Sequence, residues 1–74
     1  MNKSYVLLRM YDELRGGMGI RLNEWCAEYN LSVSTFRRYI AFLRGYFVSA
    51  TGEEIVYDSV NEMYVLRKNV NLSN

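Results

Sequence analysis

The feature that most constrains the fold of this sequence is an apolar stripe in its middle. Four apolar side chains recur at intervals of three and four residues: Phe36, Tyr39, Ile40 and Leu43. This spacing draws one line along a helix, and such a line must pack against other elements to be stable. Ser32 is in position to cap this helix, and Gly45 is predicted to end it. The sequence therefore predicts a helix over about 33–44.

Two shorter helices are predicted before this one. The first has its apolar residues at the same spacing: Leu7, Met10, Tyr11 and Leu14. Asn2 or Ser4 can cap its start, and the glycine cluster that begins at Gly16 ends it. The second helix is predicted over Glu24–Tyr29 with Asn23 as its N-cap, after a short extended piece at residues 20–22. Asn30 follows as a residue that tolerates the left-handed conformation of a tight turn.

The pattern changes from helical to extended after Gly45. Residues 54–57 and 63–66 are rich in β-branched and aromatic side chains, and turn-forming residues occupy 58–61 between them. This arrangement is typical of a β-hairpin. The predicted fold class is α+β, mainly α: a three-helix winged helix-turn-helix with a C-terminal β-hairpin wing. We expect one domain over residues 1–68 and a frayed tail over residues 69–74.

Composition narrows the range of functions. The chain of 74 residues has one cysteine, Cys26, and no histidine. An internal disulfide is therefore excluded, and the usual zinc ligands and the commonest general base near neutral pH are missing. We expect no metal, no cofactor and no enzymatic activity. Cys26, Trp25 and the aromatic residues of the third helix are predicted to pack in the core.

Size and charge bear on location and partners. The apolar run near the N-terminus is too short for a signal peptide or a membrane span, so a cytoplasmic protein is expected. A core this small rarely supplies more than roughly 3–5 kcal/mol, which favours close helix packing, a homodimer, or both. The formal net charge is only +1, so any binding to nucleic acid depends on how the charges are distributed.

The segment Leu31–Leu43, which reads Leu-Ser-Val-Ser-Thr-Phe-Arg-Arg-Tyr-Ile-Ala-Phe-Leu, resembles the recognition region of DeoR-type bacterial regulators. The hairpin sequence Ile-Val-Tyr-Asp and Tyr-Val-Leu is similar to the wing of DeoR-like regulators that carry WYL domains. Trp25 and Cys26 replace a leucine and an alanine of the family pattern, and Tyr39 replaces the acidic residue after the arginine pair. A full regulator of either family carries a sensing or oligomerisation domain after the wing, and we expect no such domain here.

The resemblance implies that the third helix enters the major groove of DNA. Arginine reads guanine there or clamps a phosphate, hydroxyl groups reach phosphates or base edges, and a small residue permits close approach. The candidate DNA-binding residues are Ser34, Thr35, Arg37, Arg38, Ala41 and Arg44. Lys3, Arg9 and Arg21 are further candidates for phosphate contacts.

The predicted hairpin is acidic, and this keeps a second function open. Residues 51–66 contain four carboxylates and no basic residue: Glu53, Glu54, Asp58 and Glu62. Phosphates repel carboxylates, so such a wing is either a solvated edge or a surface for a protein partner. The leading hypothesis is a small transcriptional regulator that binds double-stranded DNA sequence-specifically. The alternative is a protein-interaction module, such as an antirepressor or an inhibitor of a host complex from a phage or mobile element.

Overall fold

A computed structural model of the chain describes residues 2–68. Three helices precede a two-stranded antiparallel hairpin: α1 (Lys3–Arg15), α2 (Leu22–Tyr29), α3 (Val33–Ala50), β1 (Glu53–Asp58) and β2 (Met63–Lys68). The predicted fold class is confirmed, because this is the α+β layout of a winged helix-turn-helix. The predicted frayed tail, residues 69–74, lies outside the described residues.

Local sequence signals account for most of the helix ends. The side chain of Asn2 caps α1 by accepting a hydrogen bond from the backbone of Ser4 at 2.7 Å. Ser32 caps α3 by accepting from the backbone of Thr35 at 3.1 Å. Asn30 ends α2 in the left-handed conformation at φ 55°, which asparagine adopts more readily than most residues. These three features were predicted and are confirmed.

The start of α2 differs from the prediction. The helix begins at Leu22, Arg21 takes the N-cap position without a side-chain hydrogen bond, and the predicted cap Asn23 lies inside the first turn. A tertiary contact ends the extended segment at Ile20. This residue pairs with Tyr64 of β2 through two backbone hydrogen bonds of 2.9 and 2.8 Å, and the helix begins two residues later.

The end of α3 also differs from the prediction, because the helix passes through Gly45 and ends at Ala50. Phe47 extends the apolar stripe by one turn beyond Leu43 and is fully buried. Burying such a side chain stabilises the helix by roughly 1.5–3 kcal/mol, which exceeds the cost of about 1 kcal/mol for an internal glycine. Gly52, at φ 78°, supplies the turn into the hairpin.

The core lies where the three helices meet the inner face of the hairpin. Its buried members are Val6, Met10, Leu14, Ile20, Trp25, Tyr29, Phe36, Ile40, Leu43, Phe47 and Ile55. The Phe36 ring lies 5.8 Å from that of Tyr64, and the Phe47 ring stacks on Tyr11 at 5.4 Å. α3 contributes four of these eleven residues, more than any other element.

Two predictions about packing are wrong. Phe42 is 64% exposed, since at 100° per residue it points well to the side of the line through Phe36 and Leu43. Cys26 is half-buried at the edge of the core, with its Sγ 3.8 Å from the carbonyl oxygen of Ser32. Trp25, in contrast, is buried as expected.

The hairpin is longer than predicted, and this changes its charge. Cross-strand partners run from Glu53 and Lys68 at the base to Asp58 and Met63 beside the turn. The two strands therefore include Arg67 and Lys68, which fell outside the predicted hairpin. No helix within residues 2–68 has the length and apolar character that crossing a bilayer requires.

Candidate nucleic-acid interface

The outward face of α3 combines small side chains with positive charge. Ser34, Arg37, Arg38 and Ala41 are exposed on it, and Thr35 is half-buried at its edge. The whole helix carries three arginines and no carboxylate. The charges are therefore unevenly distributed along the chain: α3 is positive, and the rest of the chain is net negative.

A network of hydroxyl groups positions Arg38. The Oγ1 of Thr35 accepts a hydrogen bond from the Nη2 of Arg38 at 3.3 Å, and the Ser32 hydroxyl donates to the same Oγ1 at 3.0 Å. The Ser32 hydroxyl is itself fixed by its role as helix cap. Arg38 points toward α1, where Lys3 lines the same shallow groove. The cap of α3 thus also orients one of the two predicted reading residues.

Arg37 lies on the other side of the same face. It lines a notch between α3, the start of α2 and the hairpin, together with Arg21, Tyr57, Glu62 and other residues of these elements. The first turn of α2 opens toward this notch, and no side chain caps its free amide groups. Such amides and the positive end of the helix dipole favour an anion. Glu24 of the same turn also lines the notch and lies 3.9 Å from Arg21, so the helical side carries two cations and one carboxylate.

The remaining predicted residues have different surroundings. Ala41 lies between the two arginines on the exposed face, one turn along the helix. Arg44 lies on the same flank as Arg37 but donates a hydrogen bond of 3.4 Å to the backbone oxygen of Ile55 in β1. Arg9 is paired with Glu13 at 3.3 Å and lies 5.8 Å from the centre of the Trp25 ring. Arg44 and Arg9 thus both contribute to packing within the domain.

Two of the four hairpin carboxylates bind a partner within the domain. Glu53 forms a salt bridge with Arg15 at 2.7 Å. Asp58 accepts hydrogen bonds from the side chain of Asn61 and from two backbone amides of the turn, and these bonds lower its pKa. Glu54 is exposed and lies across the strands from Arg67, and within residues 2–68 it forms no salt bridge of 4.0 Å or less.

Glu62 differs from the other hairpin carboxylates in its position. It follows the turn in the left-handed conformation at φ 56° and lines the notch opposite Arg21 and Arg37. Within residues 2–68 it forms no salt bridge shorter than 4.0 Å. Its charge therefore lies close to the cations of the notch and lowers the positive potential there.

Sequence reasoning did not place Arg21, Tyr57 and Glu62 together. The helical spacing of α3 was sufficient to put Arg37 and Arg38 on its outer face. The notch depends instead on the pairing of Ile20 with Tyr64, which joins two segments more than 40 residues apart. The one signal in the sequence is the alternation in the hairpin, since Tyr57 and Tyr64 are cross-strand partners.

Comparisons with protein-family models, with curated proteins and with solved structures found no match to this chain. The resemblance of Leu31–Leu43 to DeoR-type regulators therefore stays a prediction.

Proposed function

We propose that this chain binds double-stranded DNA sequence-specifically through the outward face of α3 and acts as a small cytoplasmic transcriptional regulator. The observation that carries the proposal is the charge distribution. α3 has only positive charges, and its exposed N-terminal half presents Arg37 and Arg38 on either side of Ser34 and Ala41. A helix of this kind fits the major groove, where its first turns meet base edges.

The two arginines have different proposed roles. Arg38 is held by Thr35 at the edge of the exposed face that lies toward α1, and it is the candidate for a two-pronged contact with guanine. Arg37 points into the notch beside Arg21 and the free amides of α2, a setting that suits a phosphate. Such a phosphate contact helps to fix the register of the helix on the duplex.

The alternative, a protein partner bound by the acidic wing, has less support. Two of its four carboxylates bind partners within the domain, and a third, Glu62, faces the arginines of the notch. An acidic docking surface needs charges that are free to meet a partner. The alternative would become the better proposal if the purified chain bound no DNA of any sequence.

The test begins with the selection of bound sequences from random duplex DNA and measures affinity against salt. If Arg21 and Arg37 each neutralise one phosphate, the logarithm of the affinity should fall with the logarithm of the salt concentration with a slope of about −2. Arg38→Ala should weaken binding to the selected site by about 1–3 kcal/mol without unfolding the domain. Arg37→Ala should weaken selected and unrelated DNA alike.

Arg67→Ala is the matched control. Arg67 is also exposed, but it lies near the base of the hairpin, away from the notch. Its removal should leave affinity for DNA nearly unchanged. Equal losses in all three variants, or wild-type affinity in Arg38→Ala, would contradict the assignment of α3 as the reading helix.

A further inference from the structure

An apolar groove runs between α1 and α3, on the flank of α3 opposite to Arg44. Its lining consists of Leu7, Leu8, Tyr11, Phe42, Leu43 and Tyr46. Three of these side chains are far more exposed than their apolar character warrants: Leu8 and Phe42 at 64% and Tyr46 at 47%. No charged side chain lines this central part of the groove. The proposed DNA contacts leave it uncovered.

The size of this surface fits a small dimer interface. The three exposed side chains together present about 350 Å², which is in the range where an apolar patch on a small protein is usually functional. The half-buried residues and the charged ends of the groove enlarge this face further, toward the roughly 600 Å² per partner at which specific complexes begin. The net charge of +1 opposes the approach of two copies only weakly.

The two ends of the groove carry opposite charges. α1 and α3 run in the same direction along it, with Lys3 beside Arg38 at one end and Tyr11 beside Tyr46 toward the other. Asp12 follows Leu8 by one turn on α1, so it lies on the rim toward that second end. Asp12 forms no salt bridge within residues 2–68. This face therefore has an apolar centre and two ends of opposite charge. Such a face is complementary to the same face of a second copy that runs in the opposite direction.

We propose that this groove binds a second copy of the chain, related by a two-fold axis that crosses the groove beside Phe42. Phe42 lies midway between Arg38 and Tyr46 in α3. The axis therefore stacks the two Phe42 rings on each other.

The same axis also pairs the charges of α1. The midpoint between Lys3 and Asp12 falls at Leu7 and Leu8, which lie beside Phe42 in the groove. Lys3 of each copy therefore meets Asp12 of the other. Self-association of this kind does not depend on DNA.

Sedimentation equilibrium of the purified chain, without DNA, tests the proposal. The wild type should form a dimer at micromolar concentrations. Phe42→Glu, which places two carboxylates at the axis, should raise the dissociation constant at least about 100-fold. Met18→Glu is the matched control, because Met18 is equally exposed at 64% but lies in the loop after α1; it should have little effect. Circular dichroism checks that each variant is folded, and Phe42→Ala replaces Phe42→Glu if it is not.

A charge swap tests the direction of the two copies. Asp12→Lys alone sets like charges against each other and should weaken the dimer about 5–10-fold. Addition of Lys3→Glu to that variant should restore the wild-type dissociation constant.

A chain that stays monomeric at millimolar concentration, or a dimer whose dissociation constant does not change in Phe42→Glu, would overturn the proposal. A dimer that responds to Phe42→Glu but not to the charge swap would overturn the antiparallel arrangement. If the dimer forms as described and DNA is not bound, the self-association stands and the proposed function fails.

Discussion

Replacement of Gly45 by alanine tests whether α3 ends at this residue or passes through it. The two cases predict changes of opposite sign in the free energy of unfolding. The helical pattern alone predicts that Gly45 ends the helix, which would put it in the left-handed conformation of a C-terminal cap. In the structure Gly45 lies in the interior of the helix, and a Cβ added there meets nothing within 4 Å. Alanine at an open helix-interior site is more stable than glycine because it loses less backbone entropy on folding.

The magnitude follows from the same comparison. Gly45→Ala should raise the free energy of unfolding by about 0.5–1 kcal/mol, which corresponds to a rise of roughly 2–8 °C in Tm for a domain of this size. Urea denaturation followed by circular dichroism measures the change. If Gly45 were a left-handed cap, the same substitution would instead destabilise the domain by roughly 1 kcal/mol.

Gly17→Ala is the matched control for this experiment. An added Cβ also meets nothing within 4 Å at Gly17, but the residue has φ +79°. The substitution should therefore destabilise the domain by about 1–2 kcal/mol through backbone strain alone. If both variants shift the free energy of unfolding in the same direction, the described path of α3 through Gly45 is refuted.

Three further predictions concern the core, the turn and the notch. Phe47→Ala should cost about 3–5 kcal/mol, comparable to the whole stability of a chain this size, and leave it largely unfolded by circular dichroism. Phe42→Ala should change stability by less than about 0.5 kcal/mol; similar losses in both would contradict their different burial. Asp58→Ala should lower Tm at pH 7, and the difference from wild type should shrink in acid. Hydrogen bonds from Asn61 and Val60 hold the folded-state pKa of Asp58 below its ordinary value, so its stabilising contribution is present above the ordinary pKa and is lost as pH falls through the folded-state pKa. An unchanged difference at low pH would show that the carboxylate is not the stabilising form. Glu62→Gln should raise affinity for DNA about 2–5-fold by removing a negative charge from the notch, whereas Glu54→Gln, opposite Arg67, should not; a loss of affinity in Glu62→Gln would assign the carboxylate a direct contact instead.

Local signals in the sequence were sufficient for most of the fold. The apolar spacing of α1 and α3, the caps at Asn2 and Ser32, and the left-handed residue Asn30 each act within one turn of chain. Such short-range effects can be read from neighbouring residues. They predicted the order and type of every element described between residues 2 and 68.

The errors arose where distant residues decide the structure. Gly45 was predicted to end α3 because its local preference is clear, but burial of Phe47 against Tyr11 outweighs that preference. Asn23 was predicted as a cap because asparagine favours that position. The pairing of Ile20 with Tyr64, which decides where α2 begins, cannot be seen in the nearby sequence. Tertiary contacts commonly override helix propensities of about 1 kcal/mol.

The candidate site divides in the same way. Helical periodicity was sufficient to place Arg37 and Arg38 on the outer face of α3. The position of Arg21 beside Arg37 and the intramolecular partners of the hairpin carboxylates depend on how the hairpin folds back on α2 and α3. The acidic wing, which argued against DNA in the sequence, therefore carries less free charge than its composition indicates.

Amide chemical shifts measured during a titration with duplex DNA test the central claim most directly. In the ¹⁵N-labelled chain, addition of a duplex that carries the selected site should shift the amides of residues 33–41 and of the first turn of α2 most strongly. The amides of Arg67 and of the C-terminal half of α1 should move little, and all shifts should diminish as salt is raised. Shifts confined to the hairpin or to α1, or no shift at any DNA concentration, would contradict the account.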